Sequence, residues 1–508
     1  MGDQVLTEQS SIPRDIFDLL RNIGSNSRLP ICIVGGFVRD LLLGSENLDL
    51  DIVVEGDAIS FTQKLGENWG WEVQAHRRFG TATLIQPSRA RIDFASARSE
   101  TYERPGALPL VSPGTMEEDL RRRDFSINAL AVRLNAKRFG ELVDCCDGVK
   151  DLRSGRVRAL HSKSFIDDPT RIFRAVRYEG RYGFQIESED RTRICEAIEQ
   201  DVLDLISGER IRNEINRILA EDAVPRMIQR LRQFQVFRAI HPEWVVTQDF
   251  DSDWVAVQDA IDWVDTKFAD DNIEKNQIAW LSLLGATHWN ESRSLHEGTP
   301  THVIQAITDR MVLPHRLRRM FQTDADLGVD LAKGIISEKK REILERNGIS
   351  LSRNITIRDG NNRWLVSDGN HKKTFIIRRV NQSFHICEIQ TELAASQYLC
   401  ETLDTLSPGS KPSEVYHLLK PYAAEALVFA MMQPGQPGWR VEKIEDYLIN
   451  LRKIEPLITG DDLIQIGLQP GKAFTNLISK AFAAQLDGEI STKQKAYEVL
   501  GFDDAQSI

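Results

Sequence analysis

Six cysteines in 508 residues include no Cys-x-x-Cys pair, which argues against a zinc site or disulfide framework and for thiols in a reducing compartment. No apolar run approaches the roughly 18 residues that a membrane-spanning helix requires. The first residues, Met1 to Glu8, lack the basic start and apolar stretch of a secretory leader. A cytoplasmic protein with no membrane partner is expected. The chain has no His-Asp dipeptide, which argues against an appended phosphohydrolase built on that pair. Gly467 to Ala473 is one residue short of a phosphate loop and lacks Ser or Thr after Lys472. Histidines are isolated from one another, and there are neither internal repeats nor low-complexity tracts.

What is present is ordinary in bulk and uneven in place. Apolar content of 41% and charged content of 27% suit a globular protein of about three or four domains. The net charge of −11 looks wrong for a polynucleotide binder, yet residues 119–181 carry a local balance of +6 and the remainder −17. A basic strip in an acidic protein favours one specific RNA surface over promiscuous binding.

The periodicity predicts an α+β chain. Residues 1–150 read as a mixed sheet with helices, with strands near 30–34, 48–54, 82–86, 91–95 and 129–134. Helical segments follow at 168–182, 187–204 and 208–235, dividing the remainder into 151–240, 241–345 and 393–508. Between them, 346–392 reads as a small β insertion, with strands at Asn354–Arg358, Arg363–Val366, Thr374–Val380 and Ser383–Ile389. Turns are expected at residues 359–362 and 368–370.

Chemistry concentrates first at Gly35-Gly36 and Asp49-Leu50-Asp51. Paired glycines between a strand and a helix let backbone N–H groups approach an anion, and Gly44 can stop that helix. Alternation from Leu48 to Val54 predicts Asp49 and Asp51 on one strand face, about 7 Å apart. Two such carboxylates beside a phosphate-binding turn suit magnesium shared between protein and substrate phosphates. Asp93, in Arg91-Ile92-Asp93-Phe94, is the candidate third ligand on a neighbouring strand.

Further along, Arg121-Arg122-Arg123-Asp124 and Asn128 suggest a ribose and triphosphate contact, with Asp124 and Asn128 at i, i+4. In Asp167-Asp168-Pro169-Thr170-Arg171, Asp168 can cap a helix that Pro169 begins. Arg171, Arg174 and Arg177 recur every three residues. A carboxylate accepts from the exocyclic amino group of cytosine or adenine, and an arginine donates to the adjacent ring nitrogen. Uracil and guanine would oppose acceptor to acceptor, at about 1–3 kcal/mol. An Asp168/Arg171 pair can therefore select C and A without a nucleic-acid template.

These motifs resemble the class II tRNA nucleotidyltransferases: CCA-adding enzymes, their CC- and A-adding specialists, and bacterial poly(A) polymerases. Residues 35–51, 122–129 and 168–178 stand in the family's order, with a neck motif at Ser207–Ile215 and a C-terminal segment at 457–471. The resemblance implies a nucleotidyltransferase head followed by helical neck, body and tail, which bind tRNA. It implies two magnesium ions on Asp49 and Asp51 with Asp93. It implies nucleotide contacts at Gly35, Gly36, Arg39, Arg123, Asp124, Asn128, Asp167, Asp168, Arg171, Arg174 and Arg177. Asp167 stands where many members have Glu. The segment 350–390 departs from the family pattern.

The implied reaction is template-independent addition of C, A or both to the tRNA 3′ end from CTP and ATP. An A-adding specialist would need a separate CC-adding partner. The loop from Ser96 to Met116 is long enough to suggest addition of the last A. Poly(A) polymerase remains the rival activity, and a non-catalytic tRNA-binding protein the rival of another class.

Overall fold

A computed structural model describes residues 4–502 apart from 9, 11, 46–48, 269–272, 286–300, 314–327, 330–355, 361–362, 368–373, 381–382, 390–398, 400–402, 433–434 and 470. The chain divides into two compact units, Met1–Pro242 and Glu243–Ile508.

The first unit begins with helix α1 (Arg14–Ser25) and strand β1 (Ile31–Val34). Helix α2 (Gly36–Leu43) ends at Gly44 in the left-handed conformation, as expected for its stop signal. Strand β2 (Leu50–Val54), helix α3 (Ala58–Trp69), and strands β3 (Glu72–His76), β4 (Thr81–Ile85) and β5 (Arg91–Ser96) follow. A separate hairpin pairs β6 (Arg98–Thr101) with β7 (Leu110–Pro113). After helix α4 (Met116–Arg121), β8 (Leu130–Arg133) and β9 (Leu142–Asp144) complete a seven-stranded sheet ordered β3-β4-β5-β2-β1-β8-β9.

That sheet is apolar on both faces. In β1, Ile31 and Ile33 enter a core with Phe17, Leu20, Ile52 and Phe94, while Cys32 and Val34 enter a second with Val53, Leu120 and Ala131. Successive side chains of a strand point to opposite faces, so a strand covered on both sides reads as an unbroken apolar run. Each such side chain fully buried stabilises by about 1.5–3 kcal/mol. β3 and β9, unmarked by strong apolar runs, escaped the sequence reading: β3 is mostly exposed at the sheet edge, and β9 spans three residues.

Past the head, α5 (Gly148–Arg153) and α6 (Ser164–Asp167) lead to α7 (Thr170–Tyr182). Then come α8 (Ser188–Glu199), α9 (Gly208–Leu219), α10 (Val224–Gln233) and α11 (Val236–Ile240). The long helix expected over 208–235 is thus broken at 220–223. Helix α7 is buried along Ile172, Phe173 and Val176, and its polar side is tied down by ion pairs: Arg230 grips Glu179, and Arg177 reaches Glu214 at 3.4 Å.

The second unit is helical on both sides of a five-stranded antiparallel sheet. Strands Thr374–Val380 and Ser383–Ile389 fall where the sequence placed them. Thr356–Gly360 runs past the expected end at Arg358, because Asp359 and Gly360 pair with Trp364 and Arg363. Arg363–Ser367 is one residue longer than expected, while 354–355, 361–362 and 368–370 lie outside the described residues. An unforeseen short strand, Gly328–Val329, pairs with Phe384 and His385. Among the described residues no helix is long and apolar enough to cross a membrane.

Candidate active site

A cleft of about 630 Å³ opens in the first unit, lined by seven arginines and six carboxylates and by no lysine. Its walls come from the β1–α2 turn, the start of β2, the β6–β7 hairpin, the turn after α4, and helices α7 and α9.

Asp49 and Asp51 both line this cleft, although only Asp51 belongs to the strand. β2 begins at Leu50, because pairing with β5 begins at Leu50 opposite Ile92, so Asp49 precedes the ladder. Asp51 sits in register with Asp93 on the parallel neighbour β5, where strands run about 4.8 Å apart. Thr83 Oγ1 donates to Asp93 Oδ1 at 2.6 Å. The Asp51 carboxyl is open to solvent, yet the protein massed around it raises its pKa. Arg123 pulls that value down, and Asp93 and Asp49 push it up. Clustered like charges of this kind are what a divalent cation relieves.

Opposite them, Gly35 adopts φ +70°, and a Cβ there would stand 2.8 Å from Arg123 Nη1. Glycine alone satisfies both the backbone and the close approach. Arg123 Nη2 donates to Asp119 Oδ2 at 3.1 Å, while its buried Nε has no partner among the described residues. A helix's first N–H groups also lack intrahelical acceptors. Arg123 Nη1, beside the start of α2, suits an anionic ligand.

Arg39 also lines the cleft, but its fork is committed. Nε and Nη2 donate to Asp40 at 2.8 Å each, and Nη1 donates to Asn128 Oδ1 at 2.7 Å. Its guanidinium lies 4.8 Å from the Tyr182 ring centre. It therefore orients Asn128 and does not reach freely for a triphosphate.

Asn128 Nδ2 in turn donates to Asp124 Oδ1 at 2.9 Å, the i, i+4 contact expected, here across a short 3₁₀ turn at Ser126–Asn128. Arg174 Nε donates to Asp124 Oδ2 at 2.8 Å. Burial pushes the Asp124 carboxyl up, but Arg174, Asn128 and the Phe125 N–H outweigh it and hold it below the usual range.

At the wall formed by Asp168 and Arg171 the structure rearranges the expected partners. Asp168 and Arg171 both line the cleft, and no hydrogen bond or ion pair joins their side chains. Asp168 Oδ1 accepts from Thr170 N at 3.1 Å and Thr170 Oγ1 at 2.6 Å, which is the cap expected of it, and from Arg210 Nη2 at 2.8 Å. Arg171 Nη1 donates to Ser164 Oγ at 2.7 Å, and Nη2 to the Arg122 carbonyl at 3.2 Å. Asp167 and Arg177 stand outside the lining. The Asp167 carboxylate lies 3.8 Å from His161 Nδ1, and Arg177 bonds Glu214, so both expected nucleotide contacts face elsewhere. Glu100, Tyr102, Tyr178, Arg181, Arg210 and Glu214 also line the cleft and were missed as site residues. Arg210 and Glu214 had a signal as members of the Ser207–Ile215 motif, Tyr178 as a member of 168–178, and Glu100 and Tyr102 within the Ser96–Met116 loop.

Among the described residues no three acidic, imidazole or thiol groups form a ready-made metal cage. Asp49, Asp51 and Asp93 fit instead a cation that completes its shell with substrate phosphate, the usual mode for magnesium.

Family models match two segments: the poly A polymerase head domain over residues 31–158, and the probable RNA and SrmB-binding site of polymerase A over 183–246. An A-adding tRNA nucleotidyltransferase of Geobacter sulfurreducens is 32% identical over 95% of this chain, which spans 46% of that relative's length. One from Halalkalibacterium halodurans is 28% identical over 96% of this chain and 92% of its own. A solved CCA-adding enzyme in an apo form superposes with TM-score 0.66 at 28% identity, covering 96% of each chain.

Proposed function

We propose, on the premise that a chain with this head and RNA-binding segment belongs to the tRNA nucleotidyltransferase and poly(A) polymerase family, that it adds C, A or both to the 3′ end of tRNA in the cytoplasm. The observation that carries this reading is one cleft holding Asp49 and Asp51, the Gly35–Gly36 helix start, Arg123 and the Asp168 turn. The tRNA's terminal 3′ hydroxyl attacks the α-phosphorus of CTP or ATP, and pyrophosphate leaves.

Asp49 and Asp51, with Asp93 beside Asp51, would hold two magnesium ions, which when bound supply Lewis acidity and charge neutralisation at the reacting phosphate. The α2 N-terminus and Arg123 bind triphosphate oxygens. Asp124 and Asn128, locked by Arg174 and Arg39, present fixed acceptors and donors to the ribose. At Asp168 the bonds from Thr170 and Arg210 all fall on Oδ1, which leaves Oδ2 to accept from a base amino group. Arg171 lines the same wall as the neighbouring donor.

The relatives that match 95% and 96% of the chain are A-adding enzymes. They favour the narrower reading that this chain adds the terminal A, with CC supplied by a separate enzyme.

The test offers magnesium with CTP, ATP or both to tRNA transcripts ending before the tail, after C, and after CC. One A added only to the CC end supports the narrower reading, and CCA on the bare end supports a complete enzyme. Long A tracts on unrelated RNA would point to poly(A) polymerase. Asp51→Asn should cut incorporation about 10²–10³-fold, the several kcal/mol of a lost metal contribution, with tRNA binding kept. Full activity in that variant would overturn the proposal.

A further inference from the structure

Cys145 and Cys146 stand side by side where β9 turns into α5. Asp144 pins this turn: Oδ1 accepts from Cys146 N at 3.1 Å and Gly148 N at 2.9 Å, and Oδ2 from Val149 N at 3.0 Å. Behind it the Cys146 carbonyl accepts from Arg158 Nη2 at 2.6 Å. The two Sγ atoms are held 3.6 Å apart, within S–H···S hydrogen-bonding range, and both side chains are half-buried. Arg121 and Glu117 from α4 and Asp144 from the turn itself are the charges around the pair.

We propose that Cys145 is a site of reversible thiol modification, at which its thiolate attacks a low-molecular-weight disulfide while the Cys146 S–H, hydrogen-bonded to that sulfur, steadies it. The new S–S bond forms from the Cys145 electron pair as the reagent's S–S bond breaks. The displaced half leaves as a thiolate and takes its proton from water. The reaction stops at the mixed disulfide for a geometric reason. Adjacent Cα atoms are about 3.8 Å apart, inside the roughly 4.4 Å lower limit of unstrained disulfides, so Cys146 does not expel the adduct.

The surroundings agree with that role. The Cys146 hydrogen bond lowers Cys145 to about 7 against the effect of burial, with Arg121 assisting and Glu117 opposing. Cys146 is raised, by its bond to Cys145 first and then by burial. Burial pushes Cys32 up to about 12, and burial with Glu199 and Glu196 raises the exposed Cys195. Relative to an ordinary thiol, the gain in thiolate fraction outweighs the loss in nucleophilicity, so Cys145 reacts faster at pH 7.

The experiment treats the full chain with glutathione disulfide at pH 7, quenches at intervals and maps adducts by peptide mass spectrometry. Cys145 should be thiolated several-fold faster than Cys195 and be restored by dithiothreitol. Cys146→Ala and Arg121→Gln should each slow Cys145 several-fold while the Cys195 rate stays unchanged, which also reports that the variants are folded. Equal rates at Cys145 and Cys195, an unchanged Cys145 rate in both variants, or conversion to a Cys145–Cys146 disulfide would each overturn the proposal.

Discussion

Arg210 Nη2 lies 2.8 Å from Asp168 Oδ1, joining the first turn of α9 to the turn that opens α7. Arg210 Nη1 also donates to the Gly106 carbonyl at 3.1 Å, and Gly106 N donates to the Asp167 carbonyl at 3.2 Å. One guanidinium thus connects three segments that are distant in sequence: the β6–β7 loop, the turn at Asp168 and α9. Its fork favours Asp168 Oδ2 as the free acceptor by occupying Oδ1.

Arg210→Ala should therefore act on specificity. Hydrogen bonds to charged groups contribute about 1.5–3 kcal/mol each, and losing this one frees Asp168 to rotate. The expected result is a fall of roughly tenfold in kcat/KM for the preferred nucleotide, with a smaller preference over GTP and UTP. Single-nucleotide incorporation with each of the four nucleotides measures it. Discrimination equal to that of the unsubstituted protein would show that Arg210 does not orient Asp168.

Gly35→Ala probes the phosphate turn. A left-handed backbone at an L-residue costs roughly 1–2 kcal/mol, and the new Cβ would meet Arg123 Nη1 at 2.8 Å. Displacing Arg123 removes a triphosphate contact, so nucleotide affinity should fall at least tenfold, a loss of about 1.4 kcal/mol. Equilibrium binding of ATP and CTP is the check, alongside thermal unfolding. Unaltered affinity in a folded variant would remove Arg123 from the site.

Asp124 and Arg174 form a pair whose loss should be felt in stability. Arg174→Met leaves a buried carboxylate without its cation, at a cost of about 3–5 kcal/mol. The pH dependence follows from the sign of the Asp124 shift. Its folded pKa is depressed, so its stabilisation is complete above the unfolded value of about 3.9 and declines as pH falls through the folded value. Urea unfolding of both proteins between pH 3 and 7 should show the deficit of Arg174→Met largest at neutral pH and shrinking in acid. A constant gap across that range would contradict the assignment.

Much of the chemistry was determined by sequence alone, because it resides in local arrangements. The Gly35–Gly36 turn, the Gly44 stop, the Asp124–Asn128 spacing and the Asp168 cap each depend on residues within a few positions of one another. Local backbone geometry fixes such contacts whatever surrounds them. The two longest strands of the second unit were legible for the same reason, since apolar and β-branched runs flanked by turn residues form strands in most settings.

Partner choice was decided only by tertiary structure. Arg39 and Arg177 both carry charge suited to a nucleotide, yet folding commits them to Asn128 and Glu214. Arg210 instead arrives at Asp168 from 42 positions away. Asp49 left the expected strand because the β2–β5 ladder begins at Leu50, a register that one strand cannot specify without its neighbour. A long, flexible guanidinium can satisfy its donors on any nearby carboxylate or carbonyl. Which one it finds depends on helices and loops brought together from across the chain, and spacing along the sequence carries no record of that.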